Sequence, residues 1–118
     1  MVADIFNLMV ESSTDLDAAY GALSHVARRA MLERLRAEEL RVTDLAVPFE
    51  MSLAAASKHI RVLEGAGLIR RTVVGREHLL ALDAAQLRPA AEWLGRYRAF
   101  WEGRLEALDR HVREDERR

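Results

Sequence analysis

The 118-residue chain contains no cysteine. That absence excludes disulfides, thiolate metal sites and a cysteine nucleophile, whatever the compartment. Long apolar runs are missing as well. The opening MVADIFNLMVESS carries Asp4 and Glu11, no basic stretch and only short hydrophobic pieces, so neither a signal peptide nor a membrane span is supported. A cytoplasmic protein is expected. No sequence period of about 20 to 50 residues repeats, and the charged end HVREDERR reads as a solvated helix terminus. The histidines and carboxylates form no nucleophile elbow, phosphate loop or metal-ligand spacing. An enzyme is therefore not expected, and no metal or cofactor is assigned.

What is present is an ordinary globular composition, half hydrophobic and 31% charged, at a length that suits a single domain over 1–118. The formal charge of -1 hides an uneven distribution. Asp4, Glu11, Asp15 and Asp17 stand without a cation in the first seventeen positions. Between Ser52 and His78, five cations (Lys58, Arg61, Arg70, Arg71 and Arg76) face only Glu64 and Glu77, a net +3. Electrostatic steering depends on the local field, so a basic face on a near-neutral chain is compatible with nucleic-acid binding.

Leu16, Ala19, Tyr20 and Leu23 recur at helical spacing and predict a short amphipathic helix. A second spans about His25 to Ala37, with Ala27, Met31, Leu32 and Leu35 on its apolar face. Thr43 is the expected N-cap of a third, short helix through Leu45 and Ala46, ended by Pro48, which disfavours helix at Val47. Ser52 is expected to cap a fourth helix, closed by Gly65 or Gly67. A short helix, a tight connection and a longer helix form the helix-turn-helix pattern. LIRRTVV and EHLLAL then read as a hairpin over 69–82 with Gly75-Arg76 at its tip. Pro89 opens a long helical segment reaching about Val112, roughly 24 residues and about 36 Å if continuous.

On a helical wheel, Leu53, Ala56, Ile60 and Leu63 share one side of the fourth helix. Ala54, Lys58 and Arg61 share the other, flanked by Ala55, Ser57 and Val62. Small exposed residues at the start of a helix allow close approach of its backbone. Hydroxyl and cationic side chains can then take phosphates and base edges, and alanine can touch a thymine methyl in the major groove.

These residues resemble the winged helix-turn-helix of ArsR-type transcriptional repressors. That motif joins a short helix, a Ser-x-x-x-x-Ser-[Lys/Arg]-His recognition helix, an Ala-Gly-Leu-[Ile/Val] exit and a Gly-Arg wing. Ser52, Ser57, Lys58, His59, Ala66, Gly67, Leu68, Gly75 and Arg76 match in register. ARRAMLERL and WLGRYRAFWEGRLEAL extend the likeness over about residues 14 to 112, toward the cysteine-free subgroup. The implied fold is mainly α with a small β-hairpin, a winged helix-turn-helix whose N- and C-terminal helices form a dimer interface. The expected divisions are an N-terminal arm over about 1–14, a DNA-binding core over about 15–83 and a C-terminal dimerisation helix over about 87–113.

The resemblance implies a homodimeric repressor with the recognition helix, 53–64, in the major groove and the wing beside the backbone or in the minor groove. By position, Ser57, Lys58 and His59 become DNA contacts and Arg76 the wing-tip contact, with Ser52, Ala54, Ala55 and Gly75 beside them. Arg61, Arg70 and Arg71 are added from charge and geometry. His59 lies at the edge between the buried and exposed faces, and is read both as a DNA contact and as a structural hydrogen bond within the motif. Leu16, Tyr20, Leu94, Tyr97, Trp101, Leu105 and Leu108 are the expected dimer contacts.

The departures are informative. Where many members carry a metal-binding Cys-x-Cys, this chain reads Arg41-Val42-Thr43-Asp44-Leu45, which rules out thiolate metal sensing there. Asp109-Arg110-His111 has the Asp-x-His spacing of another family metal site and is read as a solvated helix end. The family's Asp-Pro-Thr is replaced by His25-Val26-Ala27, leaving Ser24 as the expected cap of the second helix. The partners expected are an operator duplex and a second copy of the chain, and a membrane is not among them; a small-molecule effector, another regulatory input and no effector at all are left open by the sequence. The rival is a winged-helix module that binds proteins rather than DNA.

Overall fold

The computed structural model of the chain describes residues 15–116. The expected arm over about 1–14 lies outside them. The chain divides between Arg88 and Pro89 into two compact units.

The first unit begins with helix α1 (15–23) and α2 (Val26–Ala37). A two-residue strand β1 (Leu40–Arg41) leads directly into α3 (Val42–Ala46), followed by α4 (Leu53–Gly65), β2 (Ile69–Val74), β3 (Glu77–Leu82) and a 3-10 turn (Ala84–Leu87). The sheet is antiparallel with strand order β1-β3-β2. Its register sets Leu40 and Arg71 on either side of Leu80, and Ile69 opposite Leu82.

The apolar positions read from periodicity converge on one core. Met31, Leu32 and Leu35 of α2, Leu45 of α3, Ala56, Ile60 and Leu63 of α4, Leu68 just before β2, and Ile69 and Leu80 of the sheet are buried together. Fully burying a side chain of this size stabilises the fold by roughly 1.5–3 kcal/mol, so this cluster fixes how α4 and the hairpin are presented. Arginines complete the helix ends. Arg34 donates to the Asp44 and Leu45 carbonyls at 2.7 and 2.9 Å, and Arg29 to that of Leu23 at 2.8 Å. These carbonyls lie near helix C-termini, where no further intrahelical donor is available.

Several local expectations are corrected. Helix α2 is capped by His25, whose Nδ1 accepts from the Ala27 N–H at 3.0 Å; Ser24 instead donates its hydroxyl back to the Gly21 carbonyl at 2.6 Å. Thr43 is not a cap either. Because β1 runs straight into α3, Arg41 occupies that position without a side-chain cap bond and Thr43 is already helical. Strand β1 itself was not anticipated, because two residues carry no periodicity.

The second unit holds α6 (Arg98–Glu116) and all of α5 (Arg88–Gly95) but its first residue. The continuous rod expected to about Val112 is broken. At Gly95 the ladder changes to three-residue steps, Arg96 N–H to the Trp93 carbonyl at 3.2 Å and Tyr97 N–H to that of Leu94 at 3.0 Å, before α6 begins. Glycine is the weakest helix former after proline, so the break falls where propensity is lowest.

Candidate nucleic-acid interface

Ser52 caps α4 as expected, its hydroxyl accepting from the Ala55 N–H at 3.1 Å. At the other end the chain leaves the helix through Ala66 and turns at Gly67, whose φ of 75° favours glycine. With Ala56, Ile60 and Leu63 fully buried, rotation of α4 about its axis is fixed. Ser52, Ala54, Lys58 and Arg61 are consequently exposed, and Ala55, Ser57 and His59 half-buried. Leu53 is 54% exposed, contrary to its place on the wheel, because the core reached by Ala56 does not extend to the first residue of the helix.

The wing carries its own signature. Val74 pairs with Glu77 across a two-residue tip, Gly75-Arg76, and Gly75 has a φ of 64°. A positive-φ glycine at the first tip position suits the hairpin turns that match strand twist. Beyond Ile69 the residues of β2 lie open to solvent, with only the Arg71 side chain partly covered, so main-chain pairing with β3 holds the wing out as a projecting finger. Asp83 N–H closes its base on the Leu68 carbonyl at 2.8 Å.

The basic residues fall into two groups. Lys58, Arg61 and Arg76 form no ion pair among the described residues. Arg70 lies 3.7 Å from Asp83, and Arg41 is 3.2 Å from Glu77. Arg71 is committed further: it pairs with both oxygens of Glu64 on α4 and lies 3.1 Å from His78 Nδ1. Its hydrogen bonds to Glu64 hold that carboxyl below the usual carboxylate range and raise the guanidinium's own pKa. Of the three arginines added from charge and geometry, Arg61 is thus free to meet a ligand, Arg70 loosely held and Arg71 a strut. Arg41 and His78, which the sequence did not single out, join Thr43, Arg71, Arg76 and Glu77 around a recess of about 330 Å³ beside the wing.

His59 faces inward as well as outward. Its Nδ1 lies 3.0 Å from Arg28 Nη1, and its ring is 4.4 Å from that of His25. Burial, then the nearby His25 and Arg28, push its pKa below the ordinary histidine value. Arg28 and His25 are further residues that sequence reasoning missed; only the arginine pair in ARRAMLERL hinted at one of them.

In the second unit, Leu94, Tyr97, Trp101, Leu105 and Leu108 are 47–59% exposed, and Phe100 67%. The Trp93 and Tyr97 rings meet at a tilt with their centroids 5.3 Å apart, and Ala91, Leu94, Gly95, Arg98 and Trp101 join them in lining a groove of about 570 Å³. Leu16 and Tyr20 on α1 are half-buried. Near the end of α6, Asp109 pairs with Arg113 at 3.3 Å and His111 with Asp115 at 3.6 Å. Among the described residues no three His, Asp or Glu side chains group as a metal site, and no helix is long and apolar enough to cross a membrane.

A helix-turn-helix domain family matches residues 23–72, the stretch from the end of α1 into the wing. The chain is 35% identical over 85 residues to the HTH-type transcriptional regulator Rv2034 of Mycobacterium tuberculosis, covering 72% of this chain and 77% of that one. The crystal structure of an ArsR family transcriptional regulator superposes with a TM-score of 0.70 at 34% identity, over 76% of this chain and 93% of the other. The chain belongs to the ArsR family of transcriptional regulators.

A more distant ArsR-like fold is a winged helix-turn-helix DNA-binding domain of Mycobacterium bovis, described as homodimeric. It matches with a TM-score of 0.60 at 20% identity, over 85% of this chain and 91% of that one. At that identity the likeness speaks for the fold. As an ArsR-family member the chain is a DNA-binding transcriptional regulator, with a winged helix-turn-helix built on α3, α4 and the β2–β3 wing.

Proposed function

We propose that this ArsR-family regulator is a cytoplasmic homodimeric repressor that reads an inverted-repeat operator, with α4 in the major groove and the β2–β3 wing against the adjoining backbone. The observation that carries this reading is the pairing pattern of the cations. Lys58 and Arg61 on the open face of α4 and Arg76 at the wing tip are exposed without an ion-pair partner among the described residues, whereas Arg71 between them is neutralised by Glu64. Cations left free at the edges of a helix-and-finger unit suit two stretches of phosphate backbone. Ala54 and Ala55 leave room for base edges, with Ser52, Ser57 and Gly75 giving short-range polar or main-chain contact.

The exposed stripe of Leu94, Tyr97, Trp101, Leu105 and Leu108 supports a second copy as the other partner, since an apolar patch of this extent is uncommon on a stable monomer. Two-fold symmetry would set the two recognition helices about 34 Å apart, one turn of DNA. The pair binds strongly because the second contact is intramolecular.

Selection of bound duplexes from a random pool, followed by a salt titration on the winner, tests the proposal. Recovery of an inverted repeat whose binding falls steeply with salt is expected. Failure to enrich any sequence, or binding indifferent to salt, would remove it.

A further inference from the structure

Arg28 engages three helices through one planar group. From α2, its Nε donates to the Ala22 carbonyl at 2.7 Å and its Nη2 to the Gly21 carbonyl at 3.1 Å, both at the C-terminal end of α1. Its Nη1 faces Nδ1 of His59 on α4 at 3.0 Å. A guanidinium carries donors and no acceptor. The histidine nitrogen turned toward it must therefore accept, and in neutral imidazole the single proton then sits on Nε2, across the ring. His25 packs against the same ring at 4.4 Å, with its own Nδ1 occupied by the Ala27 N–H. The Nε2 edge of His59 has no hydrogen-bond partner among the described residues.

We propose that Arg28 is a positioning residue for DNA recognition: its three-way contact fixes the attitude of α4 and locks His59 in the Nε2–H form, presenting a neutral N–H donor to a backbone phosphate beside Ser57 and Lys58. This rests on the DNA-binding reading of α4. A phosphate oxygen accepts only, so the alternative Nδ1–H form would offer it a lone pair and be repelled. The contact reconciles the two roles open to His59, with one ring nitrogen structural and the other facing the ligand.

The test combines nitrogen-15 NMR of the histidine rings in the full-length protein with binding to a duplex selected from a random pool. In the wild type at neutral pH, His59 should show an unprotonated Nδ1 and a protonated Nε2, and Arg28→Met should mix the two tautomers. Arg28→Met should also weaken DNA binding about tenfold, the scale of one charge-assisted hydrogen bond. His59→Gln, whose amide nitrogen reaches where Nε2 does, should retain more affinity than His59→Asn, whose shorter side chain places its amide near Nδ1 and no donor at the Nε2 position. An Nδ1–H or mixed wild-type ring, unchanged affinity in Arg28→Met, or asparagine outperforming glutamine would each overturn the proposal. Should Arg28→Met fail to fold, the wild-type tautomer and the Gln/Asn comparison decide. If the wild type binds no duplex, the proposal falls with the DNA reading, and the tautomer still shows whether the Arg28–His59 contact was correct.

Discussion

Arg71 on β2 donates through Nε, at 3.1 Å, and through Nη2 to the two carboxylate oxygens of Glu64 on α4, so a forked ion pair ties the wing to the recognition helix. Both side chains are less than a third exposed, at 29% and 28%, which spares the pair much of the screening that weakens surface bridges. Arg71→Ala should therefore lower stability by about 1 kcal/mol while leaving the salt slope of DNA binding near the wild-type value. Denaturant unfolding and salt-titrated binding, run side by side, check both halves.

The same pair predicts a pH dependence. Arg71 holds the Glu64 carboxyl below its ordinary value of 4.5, so near that pH the folded state binds fewer protons than the unfolded chain. The stabilisation is present above 4.5 and is lost as pH falls through the lower folded value. Thermal unfolding should show wild type more stable than Glu64→Gln at neutral pH, with the gap closing in acid.

Histidine gives a second window. Burial and the His25 and Arg28 charges depress the His59 pKa below 6.5, so the unfolded chain takes up the proton first. Stability should decline as pH falls from 6.5 toward the lower folded value. His59→Gln should flatten that decline; an equally steep curve in the variant would assign it to another group.

Lys58→Ala and Arg76→Ala should each weaken operator binding several-fold and reduce the salt slope by about one. Circular dichroism should stay unchanged, because both side chains are exposed and unpaired among the described residues. A slope that does not move would place these cations away from phosphate.

Leu105→Glu inserts a charge into the exposed stripe of α6, where the leucine is 58% exposed in the single chain. Sedimentation should shift from dimer to monomer, and affinity for the inverted repeat should fall steeply as the avidity of the second half-site is lost. A variant that remains dimeric would move the interface elsewhere. By contrast Ile60→Ala, at a fully buried position of α4, should cost roughly 2–5 kcal/mol of stability, read from chemical unfolding.

Much of the candidate site was legible because its signals are local. Ser52 caps its own third neighbour, Gly67 and Gly75 take up positive φ where the chain must turn, and the spacing of Ala56, Ile60 and Leu63 sets which face of α4 looks out. Leu53 shows the limit of that spacing, since periodicity assigns a side but not where the core ends. Cap choice was less secure: His25 displaced Ser24 because a ring nitrogen in the right backbone conformation serves as well as a hydroxyl.

By itself the sequence determined where helices and the hairpin form, which apolar residues gather, and that a basic helix and finger lie side by side, since each follows from bonding within a few residues or from periodic burial. Only the tertiary structure decided which cations are free. Arg71 met Glu64 seven positions away across two elements, and Arg28 met His59 thirty-one positions away. The same holds for β1, a strand defined by a partner some forty residues downstream. The energy of such contacts depends on distance in space, which spacing along the chain does not encode.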